Sequence, residues 1–329
     1  MNFTNLRSYF TPDVIVQRLR GLPPLETTVI DTFFARKVNH PFATVGRDDI
    51  LETGSPAPLI MRGAPSLALT GSPISLADYE PFEVSNHRFL TAADLNNLRV
   101  LDKQSIQARL SGIDDHLRRV SRATAEGLAS TALTGTINWP VQLENGATET
   151  YQVTFGDTLS HTPTKLWSAS DATVKHVFED LEEMETLIQE AGYGGVVNYW
   201  AGKTVYSTLL SLAETYQNNP KAKIEVKITD QGISVGGFLV KKMVERYKHP
   251  VTGTMTPKVA DTGIMAFATD AVHTLFYCAI DDIDGKLQPL PYFSKPLTSG
   301  DPSGVKIIGK SKPFPCPVTK AICWATVIS

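Results

Sequence analysis

Cysteine is nearly absent: three residues, Cys278, Cys316 and Cys323, in a chain of 329, with no C-x-x-C spacing among them. So sparse and odd a count suits a reducing compartment and predicts small buried apolar residues, not a disulfide framework. A chain of this length can bury a core without such staples. Charge of one sign is also missing, since Lys+Arg 31 against Asp+Glu 34 leaves −3 and a pI near 6.2. That excludes the global basic field of tight, sequence-independent DNA binders. Long hydrophobic runs are lacking too. The most apolar window, Ile264 to Ile280, is interrupted by Asp270 and His273, and is too short and too polar to span a bilayer. The first residues, Met1-Asn-Phe-Thr-Asn-Leu-Arg, lack the basic and apolar regions of a secretory signal, so none is expected. With 42% hydrophobic and 20% charged residues, the composition excludes disorder, collagen and a long coiled coil. It leaves one large α+β domain or two ordinary ones.

Chemical signatures are missing as well. Gly202-Lys203-Thr204 resembles the tail of a phosphate loop, but position 197, where that motif needs glycine, is valine. Gly192-Tyr-Gly194-Gly195 follows a helical pattern and reads as a helix-ending turn, not a dinucleotide fingerprint. The seven histidines, 40, 87, 116, 161, 176, 249 and 273, form no close pair and have no cysteine at zinc spacing. No G-x-S-x-G elbow exists. The acidic pairs Asp48-Asp49, Asp114-Asp115 and Asp281-Asp282 are adjacent, so their side chains diverge on a regular element; they are expected to be solvated pairs or turns. Neither an enzyme, a cofactor nor a metal is expected.

What the chain does contain is a distinctive order of parts. Residues 1–28 carry Pro12, Pro23 and Pro24 and no sustained period, which predicts an extended arm. Val29-Ile-Asp-Thr-Phe-Phe offers an apolar anchor. From Gly46 to Pro81 the chain is rich in Gly, Pro, Ser and Ala, either a surface loop or an excursion toward a partner. Ile106, Leu110, Ile113, Leu117, Val120 and Leu128 then recur at helical spacing. One amphipathic helix is expected over about 105–133, with Arg109, Asp114, Asp115, Arg118, Arg119, Arg122 and Glu126 on its other faces and Gly112 and Gly127 weakening it. The arginines predict a solvated face or intersubunit ion pairs. Alternation at Ile137–Leu143 and Tyr151–Phe155 around Asn145-Gly146 predicts a β-hairpin. A helix over 172–191, a strand at 196–200, a helix after Gly202 and strands at 222–228, 233–244, 264–268 and 275–280 follow. A Pro/Gly-rich piece, 286–303, leads to closing strands at 305–309 and 321–328, the last returning toward the hairpin and long helix.

This order resembles the major capsid proteins of tailed bacteriophages, and specifically the lambda-type major head protein family with the Hong Kong 97 fold. Phe33-Phe34 followed by Pro41-Phe42-Ala-Thr44-Val45 is similar to the family's aromatic segment and N-terminal strand. Ala57–Pro81 sits where the extended loop belongs, 105–133 where the spine helix belongs, and 137–155 where the hairpin follows it. Val196-Val-Asn-Tyr-Trp200 with the helix after Gly202, the spacing of Tyr247, Gly253, Pro257 and Gly263, and the ending Pro313-Phe-Pro315-Cys-Pro-Val318 to Ala325-Thr-Val327 complete the likeness.

The resemblance implies an α+β capsid fold with an arm (1–50), an extended β-hairpin loop (51–84), a peripheral domain (85–165), an axial domain (166–285) and a return to the peripheral domain (286–329). It implies self-assembly into hexamers and pentamers of an icosahedral shell enclosing double-stranded DNA. Leu59, Ile60, Arg62, Leu67 and Leu69 of the loop and Arg109, Arg118, Arg119 and Arg122 of the helix are its candidate subunit contacts. The implied partners are further copies of the chain, a portal, a separate scaffolding protein, since 1–28 is too short to be a scaffolding domain, a decoration protein, and DNA contacted weakly without sequence specificity. No membrane partner is implied. The implied location is the virion capsid, assembled in the host cytoplasm. A cellular encapsulin-like compartment shell, or a small-substrate α/β enzyme, is the alternative.

Overall fold

The computed structural model describes residues 25–46, 78–99, 103–217 and 223–329. They fall into two compact units. The first comprises the described residues up to Thr27, Arg36–Ala125 and Thr274–Cys316; the second comprises Thr28–Ala35, Glu126–His273 and Pro317–Ser329.

In the first unit, helix α1 (Ala92–Arg99) precedes helix α2 (Lys103–Ala132), whose residues to Ala125 belong here. Thr91 starts α1 by reciprocal capping: its N–H and hydroxyl face Asp94 Oδ2, while the Asp94 N–H donates to Thr91 Oγ1. An antiparallel sheet places strand Gly304–Ser311 between Phe293–Ser299 and Val84–Thr91. Period-two alternation turns Val305 and Ile307 inward, where they meet Leu90, Leu95, Leu110, Ile113 and Leu117. A second sheet sets Thr274–Cys278 between Arg36–His40, parallel to it, and Pro313–Cys316, antiparallel to it.

The expected helix exists, but its stripe differs. Leu110, Ile113 and Leu117 are buried as anticipated, whereas Val120 is 39% exposed and Ser121 and Ala125 take the inward positions. A 3.6-residue period continued from Leu110 falls nearer 121 than 120, so small residues occupy the contact line there. The side chain of Ile106 lies outside the described residues. Asp114 and Glu126, expected on the outer faces, are buried instead.

The second unit is built on a seven-stranded mixed sheet in the order Leu159–His161, Ile322–Thr326, Gly263–Ala268, Val197–Ala201, Phe238–Lys242, Gly232–Val235, Val226–Thr229. Helices α3 (Val174–Glu190) and α4 (Lys203–Gln217) bury Val177, Leu181, Met184, Val205 and Leu209 in one core with Tyr199, Ile264 and Ala266 of the sheet. Gly263–Ala268 is buried at every position, as a central strand covered on both faces must be. The anticipated hairpin pairs Thr136–Gln142 with Thr148–Thr154, its turn held by an Ala147 N–H bond to Asn145 Oδ1. A second hairpin pairs Arg246–Lys248 with Met255–Pro257.

Two strand expectations are corrected. The run 233–244 is two strands, because Gly236 (φ 59°) and Gly237 (φ 100°) form a two-residue turn in the left-handed region that reverses the chain. The Pro/Gly-rich piece contains strand Phe293–Ser299; Pro296 is tolerated because that strand is an edge. The last closing strand returns to the end of the long helix, as expected. Gly304–Ser311 lies in the first unit, while Ile322–Thr326 pairs with Gly263–Ala268 and Leu159–His161, and Trp324 Nε1 donates to Leu133 O at the end of α2.

Candidate assembly surfaces

The four arginines of α2 do not form one solvated face. Arg118 and Arg119 both reach Asp115, at 3.0 and 2.7 Å, yet Arg118 is largely covered whereas Arg119 is half exposed. Burial works to raise the Asp115 carboxyl, but the hydrogen bonds from Arg119 and Arg118 outweigh it and hold the acid below its ordinary range. One turn further, Arg122 donates to Thr27 Oγ1 at 2.9 Å and approaches the Tyr277 hydroxyl at 3.5 Å. Arg109 is exposed and lines a shallow cavity with Arg88, Asp94 and His116. The loop candidates Leu59, Ile60, Arg62, Leu67 and Leu69 lie outside the described residues.

In two of the adjacent acidic pairs one member, Asp114 or Asp282, is buried, which corrects the expectation of solvation for that residue; the third pair, Asp48-Asp49, lies outside the described residues. Asp114 is fully buried and accepts the Tyr292 hydroxyl at 2.9 Å. Burial first, then the Asp114 charge, pushes the Tyr292 phenol upward, so it stays a donor. Asp282 is 5% exposed and lies 2.7 Å from Lys295 and 3.3 Å from Lys310. Its burial raises the carboxyl, but the two lysines win and lower it. Each pair combines a covered, partnered carboxylate with a more exposed neighbour, as divergent side chains on successive residues allow.

In the second unit, Val29–Phe33 forms a single π-helical turn. Glu126 accepts the buried Val29 and Ile30 N–H groups at its start, at 2.8 and 3.0 Å. Lys258, only 5% exposed along its side chain, lies 2.5 Å from both Glu126 and Glu245. Thr28 donates to Glu245, closing the network. A buried lysine is tolerable only with such compensation. Phe33 stacks on His273, centroids 3.9 Å apart, and Phe34 is fully buried beside it. The apolar anchor read from the sequence is therefore held by charge as well, and nothing in the spacing of Glu126, Glu245 and Lys258 announced that.

Several apolar side chains remain outside either core. Val251 and Met255 mark the Arg246–Pro257 hairpin, at 62% and 54% exposure, and Val196 is similarly open. Ile283 and Leu287 crown a short loop of the first unit. The three cysteines are free and buried, as expected. Among the described residues, no group of three or more His, Cys, Asp or Glu could hold a metal, and no helix is long and apolar enough to cross a membrane. Among the described residues, the surface offers paired charge and uncovered apolar side chains, features suited to association.

Comparison with known proteins agrees with that character. A search of curated protein sequences gave no match. Among solved structures, the chain is similar to a protein assigned as the capsid protein of a prophage of E. coli CFT073, with 16% identity, a TM-score of 0.66 and 97% of this chain and 99% of that one covered. It is also similar to a phage-related protein from Bordetella bronchiseptica RB50, at 10% identity and a TM-score of 0.50, with 96% of each chain covered. These likenesses establish the fold, the Hong Kong 97-type capsid fold of mixed helices and strands. The family model described as phage major capsid protein E matches residues 11–327, and the chain accordingly belongs to the phage major capsid protein E family, the shell-forming proteins of phage heads.

Proposed function

We propose that this chain assembles into hexamers and pentamers of an icosahedral shell around double-stranded DNA, and that it turns over no substrate. The observation that carries the reading is the family match over residues 11–327, which spans both compact units and the segments between them. The order of parts supports placing the chain in the lambda-type group. It also supports the division into an arm (1–50), an extended loop (51–84), a peripheral domain (85–165), an axial domain (166–285) and a C-terminal return (286–329).

Leu59, Ile60, Leu67 and Leu69, with Arg62, would then lie across an adjacent subunit, and the α2 arginines would serve intersubunit ion pairs. A net charge of −3 suits a shell that touches packaged DNA weakly and without sequence preference, since counterion-driven affinity needs many exposed cations. A portal, a separate scaffolding protein and a decoration protein complete the particle, which forms in the host cytoplasm and ends as the virion capsid.

Sedimentation and electron microscopy of concentrated protein test this reading. The expected result is megadalton particles or discrete capsomers, polydisperse from the chain alone and uniform with a co-expressed scaffolding partner. A strictly monomeric species under all assembly conditions refutes self-assembly. Uniform shells from the chain alone refute the separate scaffold.

A further inference from the structure

A shallow cavity of about 340 Å³ opens between strand Val84–Thr91 and α2, and its walls carry more positive charge than the chain itself balances there. Period-two alternation sets Arg88 on the strand face that also holds Asn86 and Leu90. Asn86 donates to Leu117 O, and Leu90 packs with Leu110 and Ile113, so this face is the one turned to α2. On α2, Arg109, Gly112 and His116 follow at intervals of three and four and therefore share one helix face. Arg88, Arg109 and His116 thus line one space from two elements, each of them exposed. Among the described residues, none of the three makes an ion pair or a side-chain hydrogen bond.

The carboxylate in the wall, Asp94, is committed elsewhere. Its Oδ2 takes the Thr91 N–H and hydroxyl at 3.1 and 2.9 Å, and those bonds lead the causes that hold it below its ordinary range, ahead of the charges of Arg109 and Arg88. Gly112 is a second, independent observation. It lines the cavity between Arg109 and His116, and a Cβ there would meet nothing within 4 Å. Alanine would favour the helix at that point, yet the position carries no side chain and the space between the two basic residues stays open. Leu90 and Ile113, both buried, form an apolar floor, against which charges interact more strongly than in bulk water.

Two guanidinium forks and an imidazole outnumber what the two coplanar oxygens of a carboxylate accept, whereas a tetrahedral phosphate presents oxygens toward more than one wall. We infer that the Arg88–Arg109–His116 cavity binds a phosphate group, of a DNA backbone or of a free phosphate, with Gly112 leaving room for it. The site goes beyond the shell-forming reading and does not depend on it, since the unassembled subunit carries every residue of it. For Arg109 it puts a phosphate in place of a neighbouring subunit's carboxylate. A phosphate contact reads no base, and a single shallow site of this kind is weak and salt-sensitive.

Calorimetric titration of inorganic phosphate into the full-length, unassembled subunit at low salt tests this. Saturable binding at one site per chain, weakened by added salt, is the expected result. Arg88→Gln and Arg109→Gln, both at exposed positions, should each weaken it about tenfold, the worth of a charge-assisted hydrogen bond. Arg119→Gln should leave it unchanged, because Arg119 belongs to Asp115. Gly112→Leu should weaken binding as much as the arginine variants without lowering the urea midpoint, a split that a merely structural position would not give.

A short mixed-sequence DNA duplex, followed by fluorescence anisotropy in the same protein, separates the two sources. Duplex binding that inorganic phosphate displaces, and that Arg88→Gln and Arg109→Gln weaken, assigns the backbone. Phosphate binding without duplex binding assigns the free ion. No saturable phosphate binding overturns the inference. Equal weakening by Arg119→Gln overturns it too, since the charge would then act diffusely. So does displacement of phosphate by glutarate at equal concentration, which would make the cavity a carboxylate site. Assembly is read separately by sedimentation, so a chain that forms no shell leaves this result standing.

Discussion

The indole of Trp139, on the first strand of the long hairpin, lies so close over Gly127 of α2 that a Cβ at that glycine would overlap the ring. A glycine that by propensity weakens the helix is therefore required by packing. At Gly112, in the same helix, a Cβ would meet nothing within 4 Å. The two glycines should respond to alanine with opposite signs. Gly112→Ala should gain roughly 0.5–1 kcal/mol, since alanine restricts the unfolded chain and favours the helix. Gly127→Ala should lose about 1–3 kcal/mol by overpacking against Trp139. Urea unfolding of the unassembled subunit measures both, and equal signs would contradict the packing described.

His273 should give stability a pH dependence of its own. Burial against Phe33 pushes its imidazole down to about 3 from an ordinary 6.5, against a smaller upward pull from the Ala268 carbonyl. Nδ1 accepts the Val318 N–H, so the neutral ring carries its proton on Nε2. The folded form thus binds the imidazole proton less readily than the unfolded chain. This contribution is complete above pH 6.5 and is lost as pH falls from there toward 3. Within that window each unit removes up to about 1.4 kcal/mol. His273→Leu should flatten the slope between pH 6 and 4 whatever it does to the absolute stability. An unchanged slope would show that the ring is not held neutral.

Much of this architecture was legible because it rests on local signals. The α2 stripe through Leu110, Ile113 and Leu117, the Asn145-Gly146 turn and the alternation around it depend on neighbours within a few residues, and each appears as read. Gly236-Gly237 was equally local, but it was hidden inside a run that looked like one continuous strand. The partners of the acidic groups were not legible at all. Asp114 meets Tyr292 and Glu126 meets Lys258 across separations of 178 and 132 residues, and no periodicity encodes such pairings. The candidate surface divides the same way. The arginines of α2 could be placed on a helix, yet which of them Asp115 would claim depended on side-chain geometry, and the exposure of Ile283 depends on a left-handed turn at Lys286 and Leu287, residues that do not advertise one.

Thiol chemistry should report the intact core. Burial pushes the Cys278 and Cys323 thiols up to about 12, and Cys316 is also raised by full burial. Little thiolate exists at pH 8, and no reagent reaches it. Folded protein should therefore release no chromophore from an aromatic disulfide reagent over minutes, and denatured protein should release three equivalents, one for each cysteine. Rapid labelling of one thiol without denaturant would reveal local opening around that residue.

The Lys258 network sets apart the cost of breaking a buried ion pair from the value of having one. Lys258→Met would leave the Glu126 carboxylate buried, still accepting the Val29 and Ile30 N–H groups but with no cation beside it. Such a loss typically costs about 3–5 kcal/mol. Adding Glu126→Gln removes the uncompensated charge and keeps one acceptor for the π-helical turn, so the double variant should be more stable than Lys258→Met alone. Glu245 is half exposed and supplies a separate, pH-dependent part. Its partial burial raises the acid, but bonds from Lys258 and Thr28 prevail and hold it below the ordinary 4.5. That contribution is present above pH 4.5 and fades as pH falls through the lowered value, and Glu245→Gln should remove it. A denaturant series over the wild type, both single variants and the double variant closes the cycle. If the double variant is no more stable than Lys258→Met, the penalty comes from lost packing of the lysine stem and not from a stranded charge.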